Sequence, residues 1–224
     1  MKIAIFGGTF DPIHTGHLRA ARAAARKYHL DKVLFVPTGC PPHKISDGLT
    51  EFHHRFAMVA LACAGHPRLV PSALEAPGSK AGPDYSIDTA RRLRRRLKPR
   101  DELYFLIGMD AVLDLPHWKQ FRRLLDLVNF IVVSRPGFDS REIQKVIPAE
   151  MLAAPRRRAV ADQLRLRKTT LHILRGVEVP VASSDIRNSI RRNQSITGGV
   201  PPLVEQYILK EELYSSAQQR RGGR

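Results

Sequence analysis

Short apolar runs alternate with amphipathic stretches along most of this chain. Ile3-Ala4-Ile5-Phe6, Lys32 to Pro37, Arg68-Leu69-Val70, Leu103 to Ile107, Asn129 to Ser134 and Leu171 to Leu174 each read as a strand. Their continuous apolar character is that of strands covered on both faces. Between them, apolar positions recur at helical spacing. Leu18, Ala21, Ala25 and Tyr28 form one face, opposite Arg19, Arg22 and Arg26; Phe52, Phe56, Val59, Ala60 and Cys63 form another. Ser86 opens a helix that runs through Leu97. Ala111 to Trp118 and Phe121 to Leu127 read as two short helices broken by Pro116, and Ser140 to Ile147 as another. Asp185 to Arg192 is a helix capped by Ser183 or Ser184. Leu203, Tyr207, Ile208 and Leu213 mark a closing helix that runs to about Tyr214. Strand, helix and strand within the first 37 residues make a βαβ unit with parallel strands and a right-handed crossover. The alternation as a whole predicts an α/β fold, a doubly wound, mostly parallel sheet in a three-layer α/β/α sandwich with C-terminal helices.

One domain spanning residues 1–214 is the expectation from the 224-residue length. Residues 148–170 carry many arginines and no motif, and read as a lineage-specific segment or excursion. Leu171 to Leu174 then reads as a last strand at an edge. Residues 215–224 are polar and basic and read as a disordered tail.

Composition narrows the class. Hydrophobic residues make up 43% of the chain, enough for a core, and no run approaches the roughly 20 apolar residues of a membrane-spanning helix. The N-terminal apolar run stops at Gly7 and lacks the make-up of a signal peptide. Cys40 lies in a Pro-rich loop and Cys63 in an apolar helix, so free thiols in a reducing cytoplasm are expected, without zinc-site spacing. The net charge of +16 favours anionic partners. Much of it lies in runs at Arg91 to Arg100, Arg156 to Lys168 and Arg220 to Arg224. Such runs are found in nucleic-acid binders, and equally on solvated helix faces; no aromatic interleaving or nucleic-acid module accompanies them here.

The chemistry concentrates at Ile3 to Leu18, IAIFGGTFDPIHTGHL. A strand ends in Gly7-Gly8, a loop holds His14, and a helix starts at about Gly16 with His17 in its first turn. Glycines let a ligand approach the main chain. The helix N-terminus offers unpaired N–H groups and a partial positive charge. His14 and His17 can both donate hydrogen bonds to phosphate oxygens, and the layout as a whole is an anion site. It is neither a Walker A loop nor a dinucleotide GxGxxG. A Pro-rich loop then carries Lys44 at the C-terminal end of a strand. Asp110 follows the strand end at Gly108, at the edge where open α/β sheets bind ligands. Ser183-Ser184-Asp185-Ile186-Arg187 forms a second helix start with hydroxyls and a guanidinium.

GGTFDPIHTGHL resembles the His-x-Gly-His signature of a nucleotidyltransferase superfamily, and in its longer form the bacterial nicotinate-nucleotide adenylyltransferase family. PPHK, YSIDT, GMDAVLDLPHW, SSDIR and the closing YI…LY are similar to further elements of that family. The resemblance covers about residues 1–135 and 180–214 and implies a Rossmann-like fold. It implies adenylyl transfer from ATP to nicotinate mononucleotide, giving nicotinate adenine dinucleotide and pyrophosphate, with Mg²⁺ carried by the ATP and no protein metal cage. The implied catalytic residues are His14, His17, Lys44 and Arg187. ATP is expected to meet Gly8, Thr9, Phe10, His14, His17, Gly108, Asp110, Ser183, Ser184, Ile186 and Arg187. Nicotinate mononucleotide is expected to meet Asp11, Lys44, Thr89 and Trp118, with the indole stacked on the pyridine ring. No Ser/His/Asp or Cys/His constellation is evident, and none is needed when the substrate's own phosphate is the nucleophile. The alternatives are adenylyl transfer to nicotinamide mononucleotide or another phosphorylated acceptor and, in a different class, nucleic-acid binding. The reading expects no membrane and no specific nucleic-acid partner, and leaves a homo-oligomer open.

Overall fold

The structure, a computed structural model, describes residues 1–41, 48–78, 82–134, 141–153, 159–160, 162–177 and 180–215. Lys44, Arg156 to Arg158 and the tail from 216 onward lie outside the described residues.

The strands are β1 (Lys2–Gly8), β2 (Lys32–Pro37), β3 (Leu69–Pro71), β4 (Glu102–Gly108), β5 (Asn129–Val133), β6 (Ala159–Val160), β7 (Gln163–Arg165) and β8 (Thr170–Leu174). The described residues place them in one sheet, in the order β3-β2-β1-β4-β5-β8-β7-β6. The first six run parallel; β7 and β6 add on antiparallel. The helices are α1 (Thr15–Lys27), α2 (Phe52–Cys63), α3 (Ser86–Arg94), α4 (Met109–Leu113), α5 (Phe121–Leu127), α6 (Arg141–Val146), α7 (Ser183–Arg191) and α8 (Pro202–Lys210).

Two apolar clusters lie on the two faces of the sheet, and the strand sequences divide between them with period two. Ala4 and Phe6 join α1, α2, Ile186 of α7 and α8 in one cluster. Ile3 and Ile5 join α3, α4, α5 and Ile143 in the other. This is the expected three-layer sandwich. Strand order reverses at β1, which pairs with β2 on one side and β4 on the other. The β1–β4 pairing runs only from Lys2 and Glu102 to Ile5 and Phe105, although the strands continue to Gly8 and Gly108. Their C-terminal ends therefore separate and open a crevice at the topological switch point.

Five local expectations are corrected. Strand β8 is interior, because Gln163 to Arg165 pairs with it as an antiparallel partner; the alternation of buried Leu164 and Leu166 with Arg165 is the strand signal that the arginines obscured. Helix α3 is capped at Tyr85, whose carbonyl accepts from the amides of Asp88 and Thr89, and the α-helix ends at Arg94. Helix α7 is capped at Ala182, because the Ser183 hydroxyl is directed elsewhere. The buried face of α2 is Arg55, Met58, Val59, Ala62 and Cys63, one step round from the predicted stripe. Leu203 is 47% exposed, and Val204 takes its place in the core beside the expected Ile208 and Leu213. Both cysteines are free thiols, Cys40 exposed and Cys63 buried. Several arginines of the 91–100 run serve the fold: Arg92 donates to the Leu74 carbonyl, and Arg94 to the carbonyls of Asp101 and Lys98. Among the described residues, no helix is long and apolar enough to cross a membrane.

Candidate active site

The loop between β1 and α1 begins with a backbone departure. Phe10 adopts a left-handed φ of 49°, and the Asp11–Pro12 peptide is cis. The Phe10 conformation costs about 1–2 kcal/mol for a non-glycine residue. It lays the ring beneath Gly8, where a Cβ on Gly8 would come within 3.3 Å of it. Phe6, Phe10 and Phe35 pack with centroids 5.2–5.6 Å apart and form the apolar floor of the site. His17 stands on this floor, 5.0 Å from Phe10 and 5.7 Å from Phe6, centroid to centroid.

His14 and His17 cap α1 together. The His17 backbone N–H donates to Nδ1 of His14 at 3.4 Å, and the His14 backbone N–H donates to Nδ1 of His17 at 3.2 Å. This is a reciprocal capping box built from two imidazoles. An amide only donates, so both Nδ1 atoms are acceptors, and each neutral ring carries its proton on Nε2. The rings stack with centroids 3.6 Å apart. Burial lowers the His14 pKa to about 4, against an opposing pull from Asp185. Burial, then the neighbouring His14, holds His17 well below its ordinary value. Both are therefore neutral donors at neutral pH. Among the described residues, neither Nε2 has a hydrogen-bond partner from the protein.

The loop is fixed by distant segments. Arg187 donates from Nη1 to the Asp11 carbonyl at 2.5 Å, and the Ser183 hydroxyl donates to the Pro12 carbonyl at 2.9 Å. The Thr15 hydroxyl reaches the carbonyls of Gly198 and Gly199. Arg55, 1% exposed, donates to the Thr9 carbonyl at 2.8 Å and from Nε to the Thr50 carbonyl at 2.7 Å. Asp11 is 4% exposed, and its carboxylate accepts from the Tyr214 hydroxyl at 2.7 Å. The side chain that the resemblance assigns to the pyridine nucleotide thus braces the loop from inside. The side chain of Ile186, assigned to ATP, belongs to the apolar core. Ser184 is exposed in the first turn of α7.

A second group of residues forms at the ends of β2, β3 and β4. The Thr38 N–H donates to the Gly8 carbonyl and joins the β1 and β2 ends. Gly39 passes so close to Glu75 that a Cβ would lie 2.1 Å from the Glu75 carbonyl oxygen. Asp84 accepts from the Gly39 and Cys40 amides at 3.1 and 2.9 Å. Thr89 is buried and donates to the Glu75 carboxyl at 2.5 Å. Burial pushes the Glu75 pKa up, against the hydroxyls of Thr89 and Thr38. Trp118 is half-buried, donates from Nε1 to Asp114 at 3.2 Å, and meets Phe105 edge-on. Lys119 lies 4.0 Å above the Tyr85 ring and 3.5 Å from Asp88, so the Trp118 segment is tied to the start of α3. Gly108 and Asp110 are exposed across the crevice, at the end of β4. Hydrogen bonds thus link Gly8 through His17 with Ser183 and Arg187, while Thr89 and Trp118 occupy the neighbouring group. Among the described residues, no group of three or more His, Cys, Asp or Glu side chains is close enough to hold a metal ion.

Sequence reasoning missed Arg55, Tyr214, Glu75 and Asp84. Arg55 left one trace, a cation three residues before Met58 and four before Val59 on a buried helical face.

A strand–loop–helix donor cradle at the switch point of a parallel sheet defines a nucleotide-binding α/β protein. Residues 5–189 match the cytidylyltransferase-like family. The protein described as probable nicotinate-nucleotide adenylyltransferase of Pelobacter propionicus is 40% identical over 216 residues, 96% of this chain and 99% of its own. That of Solibacter usitatus is 39% identical over 215 residues, 96% and 100% of the two chains. The solved structure of Plasmodium falciparum nicotinic acid mononucleotide adenylyltransferase, complexed with NaAD, aligns with a TM-score of 0.70 at 22% identity, over 95% of this chain and 97% of that one. The chain belongs to the nicotinate-nucleotide adenylyltransferase family, within the cytidylyltransferase-like group.

Proposed function

We propose that this protein transfers AMP from ATP to nicotinate mononucleotide, releasing pyrophosphate and forming nicotinate adenine dinucleotide, as a cytoplasmic enzyme of NAD biosynthesis. The observation that carries the chemistry is the reciprocal His14–His17 cap, which directs two neutral Nε2–H donors from a helix N-terminus at the switch point. Family membership across nearly the whole chain supports the pyridine nucleotide as acceptor.

A phosphate oxygen of the mononucleotide attacks the α-phosphorus of ATP, the bond to the bridging α–β oxygen breaks, and pyrophosphate leaves with that electron pair. No protein nucleophile is required. The protein's tasks are in-line alignment and stabilisation of charge on the phosphoryl oxygens. His14 and His17 supply fixed dipoles there, with His17 as the principal catalytic residue. Arg187 and Lys44 supply positive charge to the attacked phosphate and the departing pyrophosphate. ATP enters with Mg²⁺ on its phosphates, so the ion is part of the substrate. Gly8, Thr9, Gly108, Asp110 and Ser184 line the ATP side; Thr89 and Trp118 take the pyridine side, where an electron-poor ring stacks on indole.

Pyrophosphate release with ATP and Mg²⁺, measured in parallel with nicotinate mononucleotide and nicotinamide mononucleotide, tests the reading. Fast release with the acid and little with the amide is expected. No release with either from folded protein refutes it, and comparable rates refute its preference for the acid.

A further inference from the structure

The Thr9–His14 loop, which leads into the His14–His17 cap, is held by contacts from distant parts of the chain. Within it, the polar groups of Thr9, Asp11 and Pro12 are held by residues far away in the chain. Arg55 takes the Thr9 carbonyl across 46 residues, Ser183 the Pro12 carbonyl across 171, and Arg187 the Asp11 carbonyl across 176. Tyr214 takes the Asp11 carboxylate across 203 residues. That last contact is buried at both ends, where hydrogen bonds are felt most strongly. Arg55 is buried there too: burial pulls its guanidinium pKa down, and the neighbouring Asp11 carboxylate opposes that pull.

Tyr214 is itself held in an uncommon geometry. It follows α8 in the turn 211–214, with a left-handed φ of 64°. The Leu213 N–H donates to the Ile208 carbonyl at 3.0 Å, and Leu213 is buried in the same cluster as Phe10 and Ile13. The turn after the last helix is therefore packed beneath the loop that carries the histidines. Neither Arg55 nor Tyr214 reaches the reacting atoms; each acts through Asp11 or Thr9.

We infer that Tyr214 and Arg55 are positioning residues for adenylyl transfer: through the Asp11 carboxylate and the Thr9 carbonyl they fix the loop that aims the His14–His17 pair, so that the turn closing the described chain sets the geometry of the phosphate site. Loss of the Tyr214 hydroxyl leaves the ring in the core and removes the donor that holds the Asp11 carboxylate, three residues before His14. Loosening the loop that aims the donors lowers turnover without touching the pyridine side, where Thr89 and Trp118 belong to other segments.

The test is Tyr214→Phe in the full chain, with Tyr28→Phe as control. Tyr28→Phe likewise removes a phenolic hydroxyl, which donates to the Ile173 carbonyl at 3.3 Å. It caps the C-terminal end of α1, about 20 Å from the histidines at 1.5 Å per residue. Tyr214→Phe is expected to lower kcat by about 10–100-fold, with the KM for nicotinate mononucleotide within about twofold of wild type. Hydrogen exchange in peptides covering residues 7–17 is expected to quicken. Tyr28→Phe is expected to change neither kcat nor that exchange. Wild-type kcat and unaltered exchange in Tyr214→Phe overturn the inference, as does an equal fall in kcat in Tyr28→Phe. The kinetic arm rests on the adenylyl-transfer reading. The exchange arm does not, so a wild-type protein silent with both mononucleotides overturns that reading while exchange still decides the inference.

Discussion

The proposed reaction gives His17 two jobs with two nitrogens, and one substitution separates them. Its Nδ1 accepts from the His14 backbone N–H and closes the cap of α1, while its Nε2–H is the donor that the proposal assigns to the phosphate. Asparagine at this position retains a side-chain acceptor near the place of Nδ1 and has nothing at the reach of Nε2. His17→Ala loses both. Loss of one fixed donor to a developing phosphoryl charge costs about 10²–10³ in turnover. Loss of the capping contact costs about 1 kcal/mol, which in a domain of this size shifts the melting temperature by about 2–4 °C. His17→Asn is therefore expected to melt near wild type and to turn over about 10²–10³ more slowly. His17→Ala is expected to show the same kinetic loss with the additional fall in melting temperature. The assay is pyrophosphate release at saturating MgATP and nicotinate mononucleotide, with thermal unfolding followed by circular dichroism on the same samples. A folded His17→Asn protein within about threefold of wild-type kcat would refute the donor role. A kinetic loss in His17→Ala far larger than in His17→Asn would show that the cap, rather than Nε2–H, carries the effect.

Three further outcomes follow from the same geometry. The His14 pKa falls from 6.5 to about 4 in the folded chain, so as pH drops the unfolded chain takes the proton first. Stability from this residue is full above about pH 6.5 and is lost by about pH 4. At 1.36 kcal/mol per pH unit this amounts to about 3 kcal/mol, with His17 acting in the same direction. Urea unfolding from pH 7.5 to 4.5 measures it, and a flat profile would contradict the neutral pair. Gly39→Ala places a methyl 2.1 Å from the Glu75 carbonyl oxygen, a backbone atom that cannot turn away. A loss of about 3 kcal/mol or more is expected by chemical denaturation, and a change under 1 kcal/mol would contradict the packing. Trp118→Ala is expected to raise the KM for nicotinate mononucleotide by about 5–100-fold, the range of a lost aromatic stack, and to leave the KM for ATP unchanged. Equal effects on both substrates would remove the indole from the pyridine side.

The local chemistry was legible because it is local. The two histidines are three residues apart, follow a strand and a double glycine, and need only one helical turn to meet; their capping box is a property of Pro12 to Leu18. Trp118 and Thr89 were assigned to the pyridine side only through motif resemblance, since an indole or a helix-start threonine has no distinctive spacing of its own. Asp11 was assigned to the pyridine nucleotide through the same resemblance, and nothing in its own neighbourhood announces the brace it forms. Its burial under Tyr214 depends on a segment 203 residues away.

The sequence by itself determined the alternating layers. Two-sided apolar strands alternating with one-sided helices bury their surfaces in a parallel sheet covered by helices, and the β1–α1 phosphate cradle is contiguous in that order. Only the tertiary structure decided what holds the cradle. Arg55, Tyr214, Ser183 and Arg187 bind it one contact at a time from two helices and a turn, and single long-range hydrogen bonds leave no periodicity in a chain. The same holds for β7, a three-residue strand that becomes legible once β8 lies beside it. Hydrophobic burial repeats along the sequence and is read there; a polar brace is satisfied in space, and it is found only where the chain has folded back on itself.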